Sequence, residues 1–148
     1  MITLTKVEEE IIACYPLMFQ LRPYLVDQEK FVKQVQRQMH EGYQLAYIAL
    51  EGQIKALMGF RYLEFLAYGK MLYIDDLVTD AETRRNGLAG KLLKWAIQQA
   101  VENGCDQVHL DSGFVRHDAH RLYLNHRFQL KGHHFALDLK ESINRSSL

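Results

Sequence analysis

Cysteine is scarce: Cys14 and Cys105 are the only two in 148 residues, and no CxxC spacing occurs. Zinc therefore has no support, a disulfide has little, and the two side chains are as readily small buried apolar residues as reactive ones. A surplus of charge is also missing. Lys plus Arg and Asp plus Glu number 18 each, so nothing draws the whole molecule to a polyanion. General nucleic-acid binding is disfavoured, and any basic site must be local. Long apolar runs are lacking too: the first thirty residues hold no signal core and no segment is long enough to span a bilayer. The expectation is a soluble cytoplasmic chain with neither a nucleic-acid nor a membrane partner. Repeats, linkers and low-complexity tracts are absent. With 48% apolar and 24% charged residues, 1–148 is expected to form a single globular domain.

What is present reads as an ordered series of elements. "MITLTKVEEEII" begins with alternating Ile2 and Leu4 and then sets Thr5 three residues before Glu8, the spacing of a capping box, so a strand gives way to a helix. Ile11, Ile12, Tyr15 and Phe19 continue that helix, and Pro16 should kink it or start a new turn. Asp27 suits the N-cap of a second helix with Phe31, Val35 and Met39 on one face, ended by Gly42. From "YQLAYIAL" to "YIDDLVT" the pattern predicts three antiparallel strands turning at Gly52 and Gly69. Leu88, Leu92, Leu93, Ala96, Ile97 and Ala100 form a helical stripe closed by Asn103 and Gly104. "DQVHLDSG" reads as a short strand, "HDAHRLYLNH" as a fourth helix, and "FQLKGHHFALDL" as a hairpin turning near Lys131 and Gly132. The predicted order is β-α-α-β-β-β-α-β-α-β-β, an α/β (α+β) fold with one mixed sheet and helices on both faces.

The segment "TRRNGLAGKLLKW" places a basic, glycine-bearing turn at the start of the third helix. A helix start leaves backbone N–H groups without intrahelical partners and carries partial positive charge, which suits a phosphate. Gly87 and Gly90 let main chain approach a ligand, and Arg84, Arg85, Lys91 and Lys94 add charge. "GLAGKL" lacks the spacing and the Ser or Thr of a Walker loop, and no GxGxxG follows an early strand. Glycine and surface arginines at a helix start are equally compatible with an ordinary turn.

These residues resemble the GNAT N-acetyltransferase superfamily, whose phosphate-binding motif is R/Q-x-x-G-x-G/A. Here it stands as Arg84-Arg85-Asn86-Gly87-Leu88-Ala89, between a strand ending "IDDLVT" and an apolar helix. The resemblance covers essentially the whole chain and is strongest in 71–128. It implies a mostly antiparallel seven-stranded sheet splayed between the fourth and fifth strands. It also implies that the main chain from Gly87 through Gly90 and Lys91 binds the pyrophosphate of acetyl-CoA, the cosubstrate. "AHRLYLNHRF" is similar to the family's A-x-x-x-Y…GF segment and makes Tyr123 the coenzyme-facing tyrosine, with Arg127 in place of the glycine. Arg116 occupies a position where the family often has an Asn that contacts the pantetheine arm. "YIDDL" resembles the polyamine acetyltransferase branch and "RHDAHRLYL" the aminoalkylphosphonate branch.

Acetyl transfer to an amine needs an uncharged nitrogen, a polarised thioester carbonyl and a proton for the departing thiolate. Free alkyl amines have a pKa of about 10, so a base or a water chain to a carboxylate is required. Asp75, by the family match, is the expected acceptor, with Asp76 as its substitute or as a binder of a cationic substrate. As strand neighbours the two should face opposite sides, and both also suit ordinary strand-end carboxylates. N–H groups near Leu77 and Val78 could hold the oxyanion and the pantetheine amides if a bulge or splay frees them. Tyr123 is the expected acid; the alternative is a buried phenol bonded to backbone.

His109, Asp111, His117 and His120 could in principle converge on a metal, but no compact ligand motif is present and no metal is expected. The reading is an enzyme moving an acetyl group from acetyl-CoA to a primary amine of a small molecule, with a homodimer open. The rivals are a non-catalytic acyl-CoA sensor, a metal-dependent hydrolase, and a protein or peptide N-acetyltransferase.

Overall fold

A computed structural model describes residues 1–140. The chain divides into two compact units, Met1–Leu110 and the part from Asp111 onward. The first contains β1 (Ile2–Leu4), α1 (Glu8–Leu21), α2 (Gln28–His40), β2 (Gln44–Leu50), β3 (Gln53–Phe65), β4 (Gly69–Thr79), a 3-10 turn (Ala81–Thr83), α3 (Leu88–Glu102) and β5 (Gln107–Leu110). The second contains α4 (His117–Asn125).

One mixed sheet runs β1-β2-β3-β4-β5, antiparallel throughout except for the parallel β4–β5 pair. Local chemistry explains its turns. Leu50 pairs with Gln53 across Glu51 and Gly52, both at positive φ (51° and 78°), which is the two-residue turn whose twist matches a hairpin. Gly69 takes φ 72°, and an added Cβ there would strike the Asp106 carboxylate that accepts from Lys70 N–H. Asp27 caps α2 by accepting from Lys30 N–H at 3.1 Å, and α3 closes on Asn103 with Gly104 at φ 69°.

Two expectations are corrected. The helix-start pairing lies two residues further on, with the Glu10 carboxylate accepting from Lys6 and Val7 N–H groups. Thr5 is held in the sheet instead, because its N–H donates to Leu45 O. α1 contains Pro16 within a single helix, Glu8–Leu21. Pro16 and Ile12, the residue whose carbonyl loses its N–H donor, are both exposed. Second, the sheet has five strands among the described residues, not seven, and the expected order ending in two strands is not met. Leu130, Phe135, Leu137 and Leu139 alternate like strand residues but are 92%, 91%, 75% and 67% exposed. A lone hairpin is marginal without a face to bury.

Helices cover both faces of the sheet. Ile11, Cys14, Leu17 and Met18 of α1 and Phe31, Val32 and Val35 of α2 pack with Tyr43, Leu45, Leu57 and Val78. Phe60, of opposite parity to Leu57 on β3, turns to Trp95 of α3 at 5.5 Å between ring centroids. No helix of the described residues is long and apolar enough to cross a membrane.

Cys14 is fully buried, and burial pushes its thiol up to about 12, whereas Cys105 is half-buried. An aromatic disulfide reagent should therefore titrate a single thiol in the native protein and a second only after unfolding. Two thiols reacting at equal rates would contradict this packing.

Candidate active site

The sheet opens where β4 outruns β5. Their pairing ends at Ile74 and Leu110, while β4 continues to Thr79 against β3 alone. In an antiparallel ladder, alternate residues turn N–H and C=O away from the partner, so one of each neighbouring pair in this stretch, Leu77 and Val78 included, faces the vacated side.

Within this stretch the β3–β4 register slips. Gly59 pairs with Asp76 and Phe60 with Ile74, so Asp75 is the extra residue of a bulge. The bulge overturns the expectation that the two carboxylates face opposite sides, since both join one cluster. Arg61 holds Asp75, with Nε at 3.1 and 3.0 Å from its two oxygens and Nη2 at 2.6 Å. Arg22, the C-cap of α1, donates through Nε and Nη2 to Asp76 Oδ1 at 3.2 and 3.0 Å, and through Nη2 to Asp75 O at 3.1 Å. The Tyr43 hydroxyl donates to Asp76 Oδ2 at 2.8 Å, and Arg61 lies 5.4 Å from the Tyr43 ring centroid. Two aspartates meet two arginines, so the cluster carries no net charge.

Burial raises the Asp75 carboxyl above the usual aspartate value, against the pull of Arg61. Arg61 is itself raised, chiefly by its bond to Asp75, and with the two-pronged contact this argues that the pair is ionised at neutral pH. Burial also lifts the Tyr43 phenol well above its ordinary value, and Asp76 adds to the shift, so Tyr43 is a fixed donor. Sequence reasoning missed Arg22, Tyr43, Arg61 and Gly59. Two signals were available: a lone arginine inside the apolar run "ALMGFRYL", and a strand-interior glycine, which often marks close approach. A Cβ on Gly59 would overlap the Tyr43 hydroxyl and ring. Gly59→Ala should therefore cost about 1–3 kcal/mol of stability through overpacking at a buried ring. A melting temperature within a degree or so of the parent would contradict that.

The glycine turn follows β4. Gly87 is the N-cap of α3 in the left-handed region at φ 74°, with no side-chain cap, and the first helical bond runs from Lys91 N–H to Gly87 O. The N–H groups of Leu88, Ala89 and Gly90 accordingly lack intrahelical acceptors. Arg85 is also left-handed, at φ 75°, on the other side of Asn86. Alternating left-handed and ordinary residues form the kind of backbone concavity that holds anions. Beyond the adjoining backbone, no heavy atom of the described residues lies within 4 Å of where a Gly87 Cβ would stand, which leaves room for a phosphate oxygen. Arg84, Arg85, Asn86 and Lys91 are exposed around it. These features fit a diphosphate.

In the second unit, Tyr123 lies on α4 with its ring 6.0 Å from Phe128, and its hydroxyl has no hydrogen-bond partner among the described residues. Burial raises the phenol above its ordinary value and Arg116, the α4 N-cap, opposes the shift. Arg127 takes φ 68°, the left-handed conformation that glycine would adopt without strain. The four metal-capable residues serve otherwise: His109 stacks on Tyr68 at 4.6 Å, His120 meets Gly113 O at 2.8 Å, His117 packs edge-on to His120, and Asp111 pairs with His134 at 3.3 Å. No group of three or more His, Cys, Asp or Glu that could hold a metal occurs among the described residues.

Comparison with known proteins identifies the family. The profile of the Acetyltransferase (GNAT) family matches residues 4–128, and the chain belongs to that family. It is 36% identical over 117 residues to the uncharacterized N-acetyltransferase YhdJ of Bacillus subtilis, covering 78% of this chain and 82% of the relative. Its fold matches the ribosomal-protein-alanine N-acetyltransferase of Brucella melitensis with a TM-score of 0.81 at 14% identity, covering 94% of this chain and 99% of the other. It also matches a predicted acetyltransferase of Clostridium acetobutylicum solved with acetyl-CoA, with a TM-score of 0.72 at 17% identity, covering 95% and 98%. The protein is an acetyltransferase, of a family that uses acetyl-CoA.

Proposed function

We propose that the protein transfers the acetyl group of acetyl-CoA to a primary amine of a small molecule by direct attack. The observation that carries this reading is the uncapped start of α3, with Gly87 left-handed and open space where a side chain would stand. N–H groups from Gly87 to Gly90, with Arg84, Arg85, Asn86 and Lys91, take the diphosphate. Main chain freed near Leu77 and Val78, at whichever of the two faces the vacated side, takes the pantetheine amides and the thioester oxygen. Arg116 adds a contact to the pantetheine arm.

The amine nitrogen forms the new N–C bond as the C–S bond breaks and its electron pair moves to sulfur. Asp75 receives the amine proton through water, its raised carboxyl being a better base than an ordinary aspartate. Asp76, committed to Arg22 and Tyr43, holds the bulge and is the substitute base only if that network opens. Tyr123 gives a proton to the thiolate, since its phenol remains protonated through neutral pH. Release of the coenzyme thiol, followed over an amine panel, tests the reading. Binding of acetyl-CoA without turnover of any amine would favour a coenzyme-binding sensor instead.

A further inference from the structure

The cluster at the β4 bulge also defines which amines fit. We propose that Arg22 and Arg61 select an acceptor whose amine lies next to a carbonyl or carboxylate oxygen, as in an amino acid or a peptide N-terminus, over a polycation. This rests on the transferase reading above and adds the substrate class.

Two observations support it. The first is charge. Asp75 and Asp76 alone would attract a diamine or polyamine, but each faces a guanidinium in direct contact, Arg61 at 2.6 Å and Arg22 at 3.0 Å. The attraction expected of an acidic strand end is thereby cancelled, and a second ammonium gains nothing on entering. The second is donor inventory. A guanidinium offers five N–H bonds in a fork. Arg22 and Arg61 each spend Nε and Nη2 on the aspartates, and neither Nη1 has a partner among the described residues. Their side chains are 31% and 22% exposed, so both retain an open surface. Unused charged donors beside the proposed base call for an oxygen acceptor. An α-amino carbonyl supplies it: the nitrogen approaches Asp75 while the neighbouring oxygen meets Nη1 of the arginine that holds Asp75. A plain alkylamine leaves those donors bare, and a diamine sets an ammonium against them.

The full chain with acetyl-CoA would be assayed against alanine, alaninamide and an alanine-led tripeptide on one side, and 1-aminobutane and 1,4-diaminobutane on the other. The expected result is a kcat/KM about tenfold or more higher for the oxygen-bearing set, a difference of about 1.4 kcal/mol. Alanine ahead of alaninamide and the tripeptide identifies a carboxylate-bearing small molecule, and the tripeptide ahead identifies a peptide amine in place of the small molecule proposed above. Arg61→Gln should raise KM for the oxygen-bearing amines more than it lowers kcat, and should improve the diamine. Arg61→Lys, which keeps charge without the fork, should still reject the diamine yet not recover the lost KM. Arg22→Lys and Arg22→Gln repeat the comparison from α1, so the test survives if one variant does not fold. A wild-type preference for the diamine, equal use of both sets, or folded variants with an unchanged ratio would overturn the proposal. Turnover of the plain alkylamine or the diamine alone would overturn the acceptor class and leave the transferase reading standing, whereas coenzyme binding with no amine consumed, or no coenzyme binding, would overturn the transferase reading beneath it.

Discussion

Tyr123→Phe is expected to lower kcat by about 10²–10³-fold, within the range for loss of a positioned general acid, and to leave acetyl-CoA binding within about twofold. The hydroxyl has no hydrogen-bond partner among the described residues, so its removal sacrifices no bond on which folding depends. The Phe ring keeps the packing on Phe128, and the melting temperature should stay within about two degrees. The pH dependence has a definite sign. Burial raises the phenol, the protonated form is the active acid, and activity therefore persists through neutral pH. It declines only as pH rises through the raised value, above the ordinary phenol value of about 10. Full activity in Tyr123→Phe would remove Tyr123 from the chemistry.

Gly87→Val should weaken acetyl-CoA binding by about 100-fold. A β-branched residue in the left-handed region costs roughly 1–2 kcal/mol, and its branches enter the space left beside the uncapped N–H groups. Each 1.4 kcal/mol of lost binding is about tenfold, so strain and obstruction together reach that figure. The chain itself should still fold, since beyond the adjoining backbone a Cβ there meets no heavy atom of the described residues within 4 Å. Gly87→Asn should fall between, because Asn tolerates the left-handed conformation better than Val. The readout is the dissociation constant by titration calorimetry, with circular dichroism confirming the fold.

What could be read from the chain divides by how local its cause is. The Asp27 cap, the turns at Gly52 and Gly69, the end of α3 at Asn103 and Gly104, and the Gly87 turn each depend on a few adjacent residues, and the structure contains them. The family, too, was legible in Arg84 to Ala89. The bulge at Asp75 was not, because it exists only in the register between β4 and β3, and periodicity along one strand is silent about its partner. The same holds for Arg22 and Arg61, which reach carboxylates 54 and 14 residues away. Their absence from the sequence reading made the acidic pair look like a lure for cations. Phe135, Leu137 and Leu139 failed in the other direction: their alternation is a strand pattern, but pairing with a neighbour is what makes a strand. Thr5 and Glu8 likewise had the right spacing, and the sheet bond from Thr5 to Leu45 displaced the motif.

The central claim is that main chain at the start of α3 holds the linked phosphates of coenzyme A. The most direct measurement is a pair of calorimetric titrations, one with coenzyme A and one with pantetheine, which has the same thiol arm and no diphosphate. Coenzyme A should bind at least about 100-fold more tightly, corresponding to about 2.7 kcal/mol, and Gly87→Val should erase most of that difference. Equal affinities for the two, or a preference that Gly87→Val leaves intact, would contradict the account.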